Sequence, residues 1–305
     1  MRKLKMEVDA YMSKNDENYK FHSTFGEKLK CEPCILGIDE AGRGPVLGPM
    51  VYAACFCPVS SKEDLANMGC DDSKVLKEEQ RETLFEKLNA ATSDFIGWII
   101  HILSPNYLST SMLSRSKYNL NSISHDTAID LVKTVTKLGV DVKEIYVDTV
   151  GPPDVYQAKL QRIFPQIKVT VEKKADAKYP VVSAASICAK VCRDKVVNEW
   201  VFSESPDIEK NYGSGYPSDP ATKTWLRKNV DRIFGFPNFV RFSWSTASKI
   251  LETEAVKVIW PDDDEEEGDA ASNTPAITSF FAAKKTQEIR HAFFRNNKLI
   301  QVESF

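Results

Sequence analysis

The sequence predicts an α/β fold: a mixed five-stranded sheet flanked by helices, followed by a C-terminal helical extension. Two features carry that prediction. Five short apolar runs of strand length begin at residue 35, and the later ones are separated by stretches with a helical period. Ile35-Leu36-Gly37-Ile38-Asp39 is the first strand, closed by a glycine-rich turn. Met50 to Cys57, rich in β-formers and small residues, is the second, and Phe95 to Leu103 the third. Between these two, Asp72-Ser73-Lys74 precedes a helix over 77–88 with Leu84, Phe85 and Leu88 on one side. Ser124-His125-Asp126 opens a helix that runs through Leu138 and stops at Gly139. Glu144 to Asp148 and Ile167 to Glu172 are the remaining strands. After Tyr179-Pro180 comes a long amphipathic helix, in which Cys188, Cys192, Val196 and Trp200 recur at i+4 while Lys190, Asp194 and Asn198 mark a wetter face. The connection lengths suit antiparallel pairing among the early strands and parallel pairing among the later ones.

The flanks read differently. Residues 1–34 are a polar, weakly patterned leader, 35–202 the main α/β domain, and 203–260 a mainly helical subdomain broken by a loop at 212–217. Residues 261–305 form an acidic, low-complexity tail. With 42% hydrophobic and 27% charged residues, the composition is that of a soluble globular protein. No apolar run reaches about 18 residues, which excludes a membrane-spanning helix. The charged stretch up to Lys20 has no apolar signal region, so the chain is expected in the cytosol or nucleus. Seven cysteines are therefore not expected to pair. Cys31 and Cys34 have the spacing of half a zinc knuckle, but no second pair follows, and Cys188 and Cys192 suit a helix core. The net charge of −3 hides an uneven spread: residues 262–269 hold seven acids and 270–305 carry a net +3, leaving +1 for residues 1–261. Such a body tolerates a polyanionic partner without arguing for one.

Carboxylates carry the chemistry. Asp39-Glu40 stands at one strand end, Asp148 at a second, and Asp176 follows a third. Acids at the C-terminal edges of neighbouring strands converge on the crevice where α/β sheets bind ligands. Hard oxygen ligands suit magnesium or manganese, and two such ions can hydrolyse a phosphodiester. Adjacent strand residues face opposite ways, so the turn must re-aim either Asp39 or Glu40, or Glu40 must act through its carbonyl. Singly, each acid reads as a solvated strand end; their joint placement argues against that. Gly42-Arg43-Gly44 is a short loop whose backbone can approach a phosphate or sugar closely, although alone it is an ordinary turn. There is no phosphate-binding G-x-x-x-x-G-K-[ST] loop, which disfavours a nucleoside triphosphatase. His125 beside Asp126 reads as a capping-region residue rather than a base.

The stretch Gly37-Ile38-Asp39-Glu40-Ala41-Gly42-Arg43-Gly44-Pro45-Val46-Leu47-Gly48-Pro49 resembles the signature opening of the type 2 ribonucleases H. Asp72-Ser73-Lys74, Val147-Asp148, Lys174-Ala175-Asp176-Ala177, the segment 182–190 and the segment 212–217 resemble the family's later blocks, in order, across about residues 35–250. The length and the segments 111–128 and 234–244 are similar to the family's eukaryotic catalytic subunit. The resemblance implies an RNase H-like fold for 35–202 and a catalytic, metal-binding set of Asp39, Glu40, Asp148 and Asp176 with two Mg2+ or Mn2+ ions. It implies that Gly42, Arg43 and Gly44 contact a ribose 2′-OH and that Tyr216 recognises the RNA–DNA junction, with Lys74, Asn119 and Arg193 as further substrate or structural contacts. It further implies cutting of RNA in RNA:DNA hybrids and 5′ to ribonucleotides embedded in DNA, nuclear partner subunits B and C, and a place in replication and ribonucleotide removal. In the tail, Thr274 to Phe281 resembles a sliding-clamp peptide with Ile277, Phe280 and Phe281 as its anchors, although Thr274 stands where that motif has Gln. Two other readings use the same acids. A junction resolvase would not need the Gly42-Arg43-Gly44 and Tyr216 pairing, and a hybrid-binding scaffold would lack an acid.

Overall fold

A computed structural model describes residues 1–70, 76–116 and 118–257. The chain starts with helix α1 (Arg2–Met12) and strand β1 (Tyr19–His22), passes a helical turn α2 (Lys28–Cys31), and enters β2 (Cys34–Ala41) and β3 (Met50–Pro58). Helices α3 (Lys62–Asn67) and α4 (Glu78–Ala90) lead to β4 (Gly97–Leu103), α5 (Pro105–Leu113) and α6 (Leu120–Lys137). Then come β5 (Val142–Asp148), α7 (Pro153–Ile163), β6 (Lys168–Glu172) and α8 (Pro180–Glu199), with α9 (Pro220–Lys228) and α10 (Ser245–Glu254) beyond. The strands form one mixed sheet in the order β1-β4-β3-β2-β5-β6. Pairing is antiparallel from β1 to β2 and parallel from β2 through β5 to β6. None of the described helices is long and apolar enough to cross a membrane.

The alternation of strand side chains explains the layers. Ile35, Val51, Ala53, Cys55, Cys57, Trp98, Ile100 and Ile102 face α8, together with its Val182, Ala185, Cys188, Cys192 and Val196. Leu36, Ile38, Tyr52, Ala54, Phe56 and Ile99 face the other way, onto Ile123, Leu131 and Val135 of α6 and Tyr156 and Leu160 of α7. All of β3 is therefore buried, as for a strand covered on both faces. The first turn of α8 lies directly on β2, because Gly37 has no side chain: a Cβ there would sit 2.5 Å from the Val181 carbonyl. Cys34 is buried and its thiol is engaged with the Leu29 carbonyl, while Cys31 is exposed, so this pair does not form one thiolate site.

Three expectations change. The sheet has six strands rather than five, because residues 1–34 are folded: β1 extends the sheet beyond β4, and α1 buries Leu4, Val8 and Tyr11. Those residues follow a helical i, i+4, i+7 pattern, masked by the lysines and acids between them. The helix expected from Ser124 begins four residues earlier, at Leu120, where the side-chain oxygen of Asn119 accepts from the Ser122 amide at 3.0 Å. Residues 203–257 contain only the two helices α9 and α10. Between them the packing runs through single aromatics: Tyr212 from a turn and Trp225 from α9, with Trp200 and Phe202 from just before the segment, surround Phe239.

Candidate active site

β2 and β5 are parallel neighbours, in register at Ile38 and Val147, so Asp39 and Asp148 arrive side by side. Asp176 joins them from the turn after β6. Lys174 adopts the left-handed conformation there, at φ 57°, and folds the chain back towards the sheet. One side-chain oxygen from each of Asp39, Asp148 and Asp176 lies within 4.8 Å of the others. Asp39 and Asp176 are 5% and 2% exposed. Asp148 Oδ1 accepts from the amides of Thr149 at 3.2 Å and Ala175 at 3.0 Å, which ties the two strand ends together. Burial, and then the like charges of Asp148 and Asp176, push the Asp39 carboxyl well above the usual range, against hydrogen bonds from Ser186 and the Glu40 amide.

Glu40 is placed elsewhere. β2 stays regular through Ala41, with Glu40 opposite Tyr52 and Ala41 opposite Val51, so the turn re-aims neither acid. The Glu40 carboxylate projects from the opposite face to Asp39, towards Tyr52, Tyr156 and Arg43, outside the three-acid cluster. Burial raises its pKa as well, followed by the nearby charge of Asp39 and opposed by Arg43.

The Gly42-Arg43-Gly44 loop follows directly on the end of β2. Gly42 has φ +77°, and a Cβ on it would lie 2.0 Å from Arg193 Nε and 2.8 Å from the Pro49 carbonyl; only glycine fits. The Arg43 guanidinium is held by Ser124 and Asn121 on the first turns of α6. The loop's backbone is gripped from behind by residues about 200 positions away in sequence. Arg241, fully buried, donates to the carbonyls of Gly42 at 2.6 Å, Arg43 at 3.2 Å and Gly48 at 2.8 Å. Trp244 Nε1 donates to the Gly44 carbonyl at 3.1 Å, and the Arg241 guanidinium lies 4.8 Å from the Trp244 ring. The peptide bonds of the described residues are all trans. Carbonyls turned towards Arg241 therefore turn the amides of Arg43 and Gly44 away from it.

Tyr216, 49% exposed, lays its ring against Gly44, where a Cβ would be 3.0 Å from Cε1. Arg193 is half-buried behind Gly42 and reaches the Leu47 carbonyl at 3.5 Å. Asn119 caps α6, its side-chain oxygen accepting from the Ser122 amide at 3.0 Å. His125 stacks on Tyr156 at 3.8 Å. Lys74 and the anchors Ile277, Phe280 and Phe281 lie outside the described residues. Arg241, Trp244, Asn121 and Ser124 shape the site; they fall inside the segments 111–128 and 234–244 already singled out, but were given no role there. The first of these carries a signal all the same: an arginine set in the apolar run Phe239-Val240-Arg241-Phe242 needs a buried partner.

A mixed sheet with three convergent aspartates, and no nucleophile–histidine pair beside them among the described residues, defines the class: a metal-dependent hydrolase of phosphodiesters. The family model for ribonuclease HII matches residues 36–247, and the chain belongs to that family. The A subunit of ribonuclease H2 from Mus musculus is 58% identical over 252 residues, covering 82% of this chain and 83% of the relative. The crystal structure of ribonuclease H2 from Pyrococcus horikoshii superposes with a TM-score of 0.61 at 34% identity, covering 72% of this chain and 97% of that one. The PCNA:RNase HII complex from Archaeoglobus fulgidus gives 0.59 at 30% identity, covering 75% and 99%. Family and acid cluster together make this chain a metal-dependent endoribonuclease.

Proposed function

We propose that this chain cuts the RNA strand of RNA:DNA hybrids, and the 5′ side of ribonucleotides embedded in duplex DNA, as the catalytic subunit of a nuclear ribonuclease H2 assembly with subunits B and C. The observation that carries the substrate is the pre-set loop. The Arg43 and Gly44 amides, turned away from Arg241, and the Tyr216 ring against Gly44 form one surface just beyond the end of β2, the strand that carries Asp39, and in this reading one sugar meets them there. An amide donor can bond a 2′-oxygen that deoxyribose lacks, and an aromatic ring can stack on the sugar that follows.

The donor set suits hard divalent cations such as Mg2+ or Mn2+. It offers carboxylate oxygens only, within 4.8 Å, and the crowding that raises the Asp39 pKa is relieved by a cation. Bound by Asp39, Asp148 and Asp176, a pair of such ions would supply an activated water and offset charge on the leaving oxygen. The protein's own part is positional. The amides of Thr149 and Ala175 hold Asp148 in place, and Arg241 and Trp244 hold the loop. Glu40, whose carboxylate lies on the other face of β2, would complete the set of four through its backbone carbonyl. The tail peptide with Ile277, Phe280 and Phe281 fits a sliding clamp, in keeping with the archaeal PCNA:RNase HII complex.

The test offers the full chain, with subunits B and C and magnesium, duplexes that carry one ribonucleotide or its 2′-deoxy equivalent. Cutting on the 5′ side of the ribonucleotide alone is expected. Equal cutting of both duplexes would sink the 2′-OH reading, and a Phe280→Ala/Phe281→Ala double variant with unchanged clamp affinity would remove the tail reading.

A further inference from the structure

Beside the loop a cavity of about 440 Å3 opens to solvent, lined by Arg43, Gly44, Met112, Leu120, Ser243 and Trp244. Gly44 divides it from Tyr216: the tyrosine ring abuts the Cα of Gly44, whereas Trp244 holds its carbonyl. Three apolar surfaces make the walls, namely the thioether of Met112 at the end of α5, the Leu120 side chain at the start of α6, and the Trp244 indole. The polar groups around them are already engaged. The indole N–H is on Gly44, two guanidinium nitrogens of Arg43 are on Ser124 and Asn121, and the Ser243 hydroxyl points at Met112 Sδ, 3.6 Å away. The fully buried Arg241 backs the indole.

We propose that this cavity receives a deoxyribose of the strand opposite the one being cut, and so tests that strand for DNA. The inference rests on the ribonucleotide reading above. In RNA-containing duplexes the 2′-hydroxyls line the minor groove, so a loop that reads one of them sits in that groove. The groove's other wall is the sugar row of the opposite strand, and the cavity is the next surface beyond Arg43 and Gly44. Met112, Leu120 and Trp244 suit the C2′ methylene and the apolar face of a sugar. A 2′-hydroxyl pressed against them would lose its water with no partner in exchange. The N–H groups of the Arg43 guanidinium not held by Ser124 and Asn121 are left at the rim for the adjoining phosphate. The two sides of Gly44 thus make opposite demands: ribose on the Tyr216 side, deoxyribose on the Trp244 side.

The experiment uses the full chain with subunits B and C, and duplexes with one ribonucleotide in the cut strand. The opposite strand is DNA except for a single ribose, moved one position at a time. The kcat/KM is expected to fall by about tenfold at one or two adjacent positions and little elsewhere. Met112→Gln and Leu120→Gln, which bring an amide into the cavity, should shrink that local penalty while the cut strand still requires its ribonucleotide. Leu120 opens a helix, so if its variant melts early, Met112→Trp decides instead: by filling the cavity it should raise KM and leave kcat unchanged. A penalty spread evenly along the strand, or one untouched by the Met112 variants, overturns the assignment. Failure of the unmodified protein to distinguish ribose from deoxyribose in the cut strand is a separate result, and it overturns the ribonucleotide reading together with the cavity.

Discussion

Asp39 and Gly42 are near neighbours in sequence, yet the acid cluster and the loop are held in place by different means. The cluster is built from strand ends and one turn, with Asp39, Asp148 and Asp176 delivered by parallel pairing of β2, β5 and β6. It is electrostatically strained, since burial and the like charges of Asp148 and Asp176 raise the Asp39 carboxyl well above the usual carboxylate range. Behind the loop, burial and the like charges of Arg193 and Arg43 bear on Arg241 as well, but the loop itself has little shape of its own. Its carbonyls are set by Arg241 and Trp244, and its arginine by Asn121 and Ser124. One region gives up stability for reactivity, and the other draws its precision from distant packing.

The largest expected effect comes from Asp39→Asn, which should abolish cleavage and yet stabilise the fold in chelator. Because the folded-state pKa of Asp39 is raised, the folded protein holds a proton that the unfolded chain has released above about pH 4. Stability from this group is therefore lost as pH rises from about 4 through the folded value. Melting curves should show the variant gaining about 2–4 °C at pH 8, and less at pH 4. No gain at pH 8 would mean that the cluster is not strained.

Arg241→Ala should come next. It strips the carbonyls of Gly42, Arg43 and Gly48 of their donor at a cost of about 2–4 kcal/mol, and kcat/KM on a single-ribonucleotide duplex should drop by about 100-fold. Arg241→Lys keeps the charge but not the fork, so only a partial recovery is expected. Full activity in the alanine variant would show that the loop holds itself. A smaller loss is expected for Gly42→Ala, because the positive φ and the Arg193 contact together cost about 1–3 kcal/mol. Its kcat/KM should fall by roughly tenfold. The least effect on chemistry belongs to Leu4→Ala. Chemical denaturation should register a loss of about 2–5 kcal/mol from the α1 core, while kcat at saturating substrate stays unchanged. A fall in kcat would tie the N-terminal helix to the site.

Much of the sheet was legible because its strands, 34–41, 50–58 and 97–103 above all, are continuous apolar runs that only a doubly covered sheet explains. The N-terminal elements were not legible, since Leu4, Val8 and Tyr11 are thinly spaced among charges, and β1 is a four-residue edge strand that gains meaning only beside β4. The 203–257 segment misled for the opposite reason. Its aromatics have nearly helical spacing but pack singly round Phe239.

By itself the sequence determined which acids stand at strand ends, that Gly42 and Gly44 flank an arginine, and to which family the chain is similar. These are local properties: residue type, strand period and short-range turn chemistry. Tertiary structure alone decided that Asp39 and Glu40 part company across β2, because regular pairing with β3 continues through Ala41 and strand geometry then sends neighbours to opposite faces. It also decided that an arginine about 200 residues downstream turns the loop's carbonyls inward and its amides outward. A buried guanidinium must find acceptors wherever the fold offers them, and no spacing rule along the chain says where that will be.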